Sequence, residues 1–285
     1  FALNNYEQAV TLFEQGNRDA SQPLFESYIK ANPKHSDALS YLARIVASED
    51  LDDAEDLVEK ALKISPNSAY VNFTYGKIMG GQAQNSIFSA ISYAGKSLKG
   101  FENAVKFEPD NVEYRIGLMQ FYTFVPGIAG GDMDKGWQQV EAISQLDPFQ
   151  GLRATISFHV ANEDMEAAHT ALNKGITSYP DKADFHYMRA RQLIREEKFD
   201  LAYESLMSAT AINPSTQEDR IERLKSLYQV AKVSVLWEKE LDKGLAAIAE
   251  YEKHNENDSE LPSKEWAQFR RANLLELKGQ KKEAK

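Results

Sequence analysis

ADFHYMRARQLIREEKFDLAYESLMSATAINP, running from Ala183 to Pro214, is the stretch whose reading decides the fold. Apolar and small residues recur at helical spacing through Tyr187, Ala190, Leu193 and Ile194, until the polar turn Glu196-Glu197-Lys198 interrupts them. The pattern resumes through Phe199, Ala202, Leu206 and Ala209 and stops at Pro214. This period predicts two amphipathic helices of about 12–14 residues joined by a tight turn. Ala190 and Ala202 fall where the two helices touch, and their small side chains let the backbones approach. Pro214 bars the second helix from continuing, because it lacks an N–H and its ring clashes with the preceding turn.

Working outward, prolines recur at Pro33, Pro66, Pro109, Pro148, Pro180 and Pro214, each after a helix-like segment. A spacing of about 34 residues between such helix pairs is a repeat signature. The unit resembles a tetratricopeptide repeat (TPR). With Ala183 at the first repeat position, Ala190, Ala202 and Ala209 occupy the small positions 8, 20 and 27, and Pro214 occupies position 32. The repeats are expected at 2–33, 36–67, 69–110, 111–149, 151–181, 183–214, 220–255 and, incomplete, 263–285. The expectation is an all-α, right-handed superhelical solenoid of seven to eight repeats, forming one domain over 1–285 with first helices lining a concave surface. Thr155–Val160 is the one weak strand candidate.

Composition narrows the function classes. The formal net charge of −10 argues against nucleic acid and against an anionic membrane surface. No run approaches 18 apolar residues, so no segment is expected to insert in a membrane. The chain has no cysteine, which removes disulfides and thiolate chemistry. It begins at Phe1, so either a targeting segment has been removed or the chain was trimmed; a periplasmic protein is the expectation, with the cytoplasm as the alternative.

Nothing in the sequence points to catalysis. His35, His159, His169, His186 and His254 are scattered with no i, i+4 pair, and GxSxG, HExxH and GxGxxG are absent. The expectation is a protein that is not an enzyme and has no cofactor or metal. The acidic run Glu49-Asp50-Leu51-Asp52-Asp53 reads as capping at a helix start.

Two insertions stand out. Met79–Ser92 carries Gln82, Gln84, Asn85 and Phe88, a composition that suits an amide-rich lip with an apolar anchor; the third repeat's second helix is expected to resume only at Lys96–Phe107. The fourth repeat is broken by VPGIAGGDMD, with Pro126, Gly130, Gly131 and Asp132. Glycines before a helix can cradle a phosphate, but Asp132 puts a carboxylate where phosphate would lie. A widened turn closed by a capping aspartate is the plainer reading. Because the insertions occupy the same place in consecutive repeats, they are expected side by side, packing on each other or forming a small-ligand or ion site. The segments GGQAQN and FYxxxPGIAGGDxDK, together with Tyr228–Lys232, resemble a family of uncharacterised bacterial TPR proteins, often exported. That resemblance implies a bacterial source and supports the fold more than a role.

The first-helix face is the other candidate. Repeat position 5 reads Tyr6, Ser40, Phe73, Tyr114, Arg153, Tyr187, Tyr228 and Phe269, six of eight aromatic, and position 9 includes Arg44, Lys77, Arg191 and Lys232. Rings beside cations can clamp an extended acidic peptide. Rings at position 5 also serve packing alone. The groove candidates are Tyr70, Phe73, Lys77, Tyr114, Leu118, Phe121, Tyr187, Arg191, Arg195, Tyr228 and Lys232. The leading expectation is therefore a protein- or peptide-binding scaffold or adaptor in a bacterial envelope complex. The alternatives are a small-ligand module at the insertions and a self-associating protein using Trp266, Phe269 and Leu274 of the C-terminal repeat.

Overall fold

The computed structural model describes residues 2–255 and 260–280. The described residues are helical throughout, and the chain divides into two compact units, residues 1–168 and 169–285. The first unit holds α1 (Ala2–Glu14), α2 (Arg18–Ala31), α3 (Ser36–Val46), α4 (Leu51–Ile64), α5 (Ala69–Asn85), α6 (Ala90–Phe107), α7 (Val112–Phe124), α8 (Met133–Leu146) and α9 (Pro148–Ala161). A short 3₁₀ turn, Gly127–Ala129, sits between α7 and α8, and α10 (Met165–Ser178) begins at the end of this unit. The second unit continues with α11 (Asp184–Arg195), α12 (Phe199–Ala211), α13 (Gln217–Trp237), α14 (Leu241–His254) and α15 (Lys264–Leu277).

Within each unit, consecutive helices pack as hairpins, and first helices of successive repeats also meet: α3 on α5, α7 on α9, α11 on α13 and α13 on α15. The small residues read from the sequence sit at these contacts, with Ala190, Ala202 and Ala209 fully buried. The first unit is held by a series of local cores, such as Phe13, Phe25 and Leu42 between its first helices and Met119, Ile143 and Phe158 at its far end. In the second unit one core runs from Leu193 and Leu206 to Ile248 and Leu274, so Leu274, expected at a self-associating face, is buried while Trp266 and Phe269 are exposed. Each fully buried Leu, Ile or Phe contributes about 1.5–3 kcal/mol relative to exposure.

Local chemistry sets the helix ends. Asp50 accepts from the backbone N–H of Asp52 (2.9 Å) and Asp53 (3.0 Å), so the acidic run caps α4. His35 caps α3, its Nδ1 accepting from Ala38 N at 3.2 Å. Thr216 and Asp219 form a reciprocal capping box at α13. The turns inside repeats use left-handed residues: Gly16 at φ 78°, and the glutamates Glu163 (59°) and Glu197 (58°) in the fifth and sixth repeats.

Three expectations change. Pro148 does not close a helix; it is the first residue of α9, with Asp147 capping it through Phe149 N and Gln150 N. The weak strand candidate Thr155–Val160 lies inside α9. The first insertion is mostly helix: α5 runs to Asn85 across Gly80-Gly81, and α6 starts at Ala90 rather than Lys96. Further along, Gly100 lets the two helices pack closely: a Cβ there would lie 2.7 Å from Gly76 N and 2.8 Å from Asn72 O, so the two backbones are in direct contact. The polar segment at 256–259 and the C-terminal 281–285 of the incomplete repeat lie outside the described residues.

Candidate functional site

In the first unit most of the expected groove rings are core. Phe73, Tyr114, Leu118 and Phe121 are buried with Phe101 and Tyr122 in one cluster between α5, α6 and α7. Phe73 lies 4.7 Å from Tyr114 and 5.7 Å from Phe101, centroid to centroid. Tyr70 is half-buried against Tyr41 at 4.9 Å, and its hydroxyl accepts from Arg44 at 3.4 Å. Burial pushes the Tyr70 hydroxyl far above its ordinary pKa, so it stays neutral. Lys77 is exposed, its ammonium 5.5 Å from the Phe73 ring.

The second unit is different. Tyr228 is buried against Tyr251, but Tyr187 is only half-buried, with its hydroxyl raised in pKa chiefly by that burial. One turn along, Arg191 is exposed with its guanidinium 5.9 Å from the Tyr187 ring. Arg195 is exposed on the same helix and Lys232 is half-buried on the neighbouring one. Lys182, Lys198, Arg223 and Lys225 of this unit pair with carboxylates. Among the described residues Arg191, Arg195 and Lys232 form no salt bridge.

The insertions meet at a cavity. Gln82 is not on a lip: it is buried in α5 and donates to Asp52 Oδ1 (2.8 Å) and Glu55 Oε2 (2.9 Å) of α4. Gln84 and Asn85 are exposed at the end of α5, and Phe88 in the link to α6 is 100% exposed. The second insertion is a tight structure. Pro126 opens the 3₁₀ turn, Gly130 ends it at φ 106°, and a Cβ on Gly131 would lie 1.7 Å from Val125 O. Asp132 then caps α8, accepting from Lys135 N at 3.1 Å. That carboxylate is committed to the helix start, as expected of a capping aspartate.

Between α5, α6, α7 and the 3₁₀ turn lies a cavity of about 850 Å³. Its lining includes Gly80 and Gly81, Ala90 and Ala94, Phe121 and Ala129, with Ile91, Phe124 and Ile128 at its mouth. Ile91, Phe124 and Ile128 were not among the sequence candidates, since an outward apolar residue has the same periodic signature as an inward one. Among the described residues, no three His, Asp or Glu side chains gather as metal ligands, and no helix is long and apolar enough to cross a membrane.

These elements carry the TPR fold. A tetratricopeptide-repeat family model matches residues 6–69. The chain is similar in structure to a thermophilic TPR protein from Thermus thermophilus, at 16% identity over 80% of this chain and 99% of that one, with a TM-score of 0.50. It is similar to a TPR protein from Parabacteroides merdae, at 12% identity over 96% and 98%, with a TM-score of 0.58. Yeast Tom70 is also similar, at 15% identity and a TM-score of 0.67, covering 95% of this chain but only 53% of that one. At such identities the likeness shows the fold alone. No curated protein matches the chain.

Proposed function

We propose that the chain is a non-catalytic scaffold whose second unit binds an extended acidic peptide of a partner protein on the α11–α13 face. The carrying observation is a set of cations, Arg191, Arg195 and Lys232, without carboxylate partners among the described residues, beside the half-buried Tyr187. In a chain of net charge −10, acids are plentiful enough to have neutralised them, as they do Lys182 and Arg223. Helical arrays use such faces as extended binding surfaces, and an arginine beside a ring offers a carboxylate a charge-assisted hydrogen bond next to apolar area. Phe73, Tyr114 and Phe121 of the first unit are too deeply packed to serve in the same way, and the Tyr70 hydroxyl is engaged by Arg44, so we place the peptide on the second. A role as adaptor in a bacterial envelope complex is part of the proposal and draws on the resemblance of the GGQAQN and PGIAGGD segments described above.

The test is fluorescence anisotropy with labelled peptides that alternate Glu with Leu or Phe, against copies with Gln for Glu. Wild type is expected to favour the acidic peptides by about tenfold or more at low salt, and to lose that preference as salt rises. Arg191→Glu combined with Lys232→Glu removes the preference. Equal affinity for the acidic and neutral series would overturn the assignment.

A further inference from the structure

We propose that the insertion cavity of the first unit binds the hydrocarbon chain of a single-chain amphiphile with an anionic head, the acyl class of ligand. Its volume of about 850 Å³ lies in the range of about 300–1,000 Å³ that small-molecule sites occupy. Glycine, alanine, isoleucine and phenylalanine dominate the lining, and no Asp or Glu contributes to it, although the chain has 43 of them. The interior offers little to a polar ligand: the Ser97 hydroxyl is committed to Gly76 O at 2.7 Å. Apolar walls without polar recognition select for hydrocarbon.

The mouth shows the same chemistry. Ile91 is 58% exposed, Phe124 59% and Ile128 83%. Ile87 and Phe88, in the link just before α6, are exposed as well. An apolar cluster left in water around a concave site marks a binding surface. Lys77 is the sole charged residue of the lining, so a carboxylate head would meet a cation and no lining carboxylate there. The cavity is bounded on one side by the Pro126–Ala129 turn, and besides Lys77 and Ser97 the polar side chains of its lining are the amides Gln84 and Gln120. A helix of a protein partner finds there no acidic or basic row to pair with its polar flanks, which favours the acyl chain. This site is independent of the peptide face on the second unit.

The experiment titrates the full chain with dansyl-undecanoic acid at submicellar concentration and follows the fluorescence rise. Saturable binding of one probe per chain is expected, displaced by palmitate but not by an amphipathic helical peptide. Ile91→Asp and Ile128→Asp, both at exposed positions, each weaken the probe by about tenfold because a carboxylate then faces hydrocarbon. Their circular dichroism stays that of wild type. Lys77→Gln weakens palmitate more than hexadecanol. Arg191→Glu with Lys232→Glu leaves probe binding unchanged, so failure here is separable from failure of the peptide face. Displacement by palmitate without co-sedimentation with phosphatidylcholine vesicles supports a free single-chain acid; co-sedimentation with the vesicles and no displacement by palmitate overturns it. Absence of saturable binding, insensitivity to both aspartate variants, or displacement by the peptide and not by palmitate overturns the proposal.

Discussion

Asp219 is a buried charge of the second unit, and replacing it with asparagine tests the reasoning closely. Its Oδ2 accepts from Ser215 N at 3.2 Å, Ser215 Oγ at 2.7 Å and Thr216 N at 3.0 Å, while Oδ1 accepts from Lys182 Nζ at 2.6 Å. Burial alone would raise its pKa, but the hydrogen bonds from Lys182, Ser215 and Thr216 outweigh that and hold the carboxyl well below its ordinary 3.8. Asparagine keeps the shape but has one acceptor. Whichever way the amide turns, either Lys182 or the Ser215 and Thr216 N–H groups face an NH₂. Hydrogen bonds to a charged group are worth about 1.5–3 kcal/mol each, and breaking one side of a buried pair costs about 3–5 kcal/mol. We therefore expect Asp219→Asn to lose about 3 kcal/mol at pH 7, read as a lower urea midpoint for the second unit with an unchanged slope.

The pH dependence follows from the sign of the shift. The folded pKa is below the unfolded one, so the stabilisation is complete above the ordinary 3.8 and disappears as pH falls through the depressed folded value. The gap between wild type and Asp219→Asn should thus be constant from pH 7 to pH 5 and shrink below pH 4. A gap under about 0.5 kcal/mol at pH 7, or one that does not narrow in acid, refutes this account.

Other variants probe the same physics. Gly100→Ala forces a methyl against the backbone of α5, which cannot rotate away, and is expected to cost about 2–3 kcal/mol with loss of the α5–α6 pairing in hydrogen exchange. Glu197→Gly relieves a left-handed glutamate at φ 58° and should raise thermal stability by about 0.5–1 kcal/mol. Tyr114→Ala empties a core position and should cost about 3–5 kcal/mol by urea titration, whereas Phe88→Ser, at a fully exposed site, should change stability by less than about 0.5 kcal/mol.

The amino-acid sequence by itself determined the helix pairs, because amphipathic period, capping residues and small contact positions are local along the chain. Ala190 and Ala202 in the hairpin, Asp50 and Asp132 as caps, and the polar turn at Glu197 are all legible from the residues alone. Tertiary structure decided what the pattern left open. Periodicity says that a ring such as Tyr114 lies on one face of its helix; only the packing of α5, α6 and α7 made that face core, while Tyr187 and Arg191 stayed at the surface. The glycine pair Gly80-Gly81 reads as a loop by propensity, yet α5 continues through it, packed against Ser97 of α6 and Leu51 of α4. Gln82 looked like a lip residue and is instead buried on two carboxylates of α4. The cavity between the insertions arises from groups far apart in the chain, Gly76 of α5 and Ala129 of the 3₁₀ turn among them, and no local rule foretells which apolar side chains will be left facing its mouth.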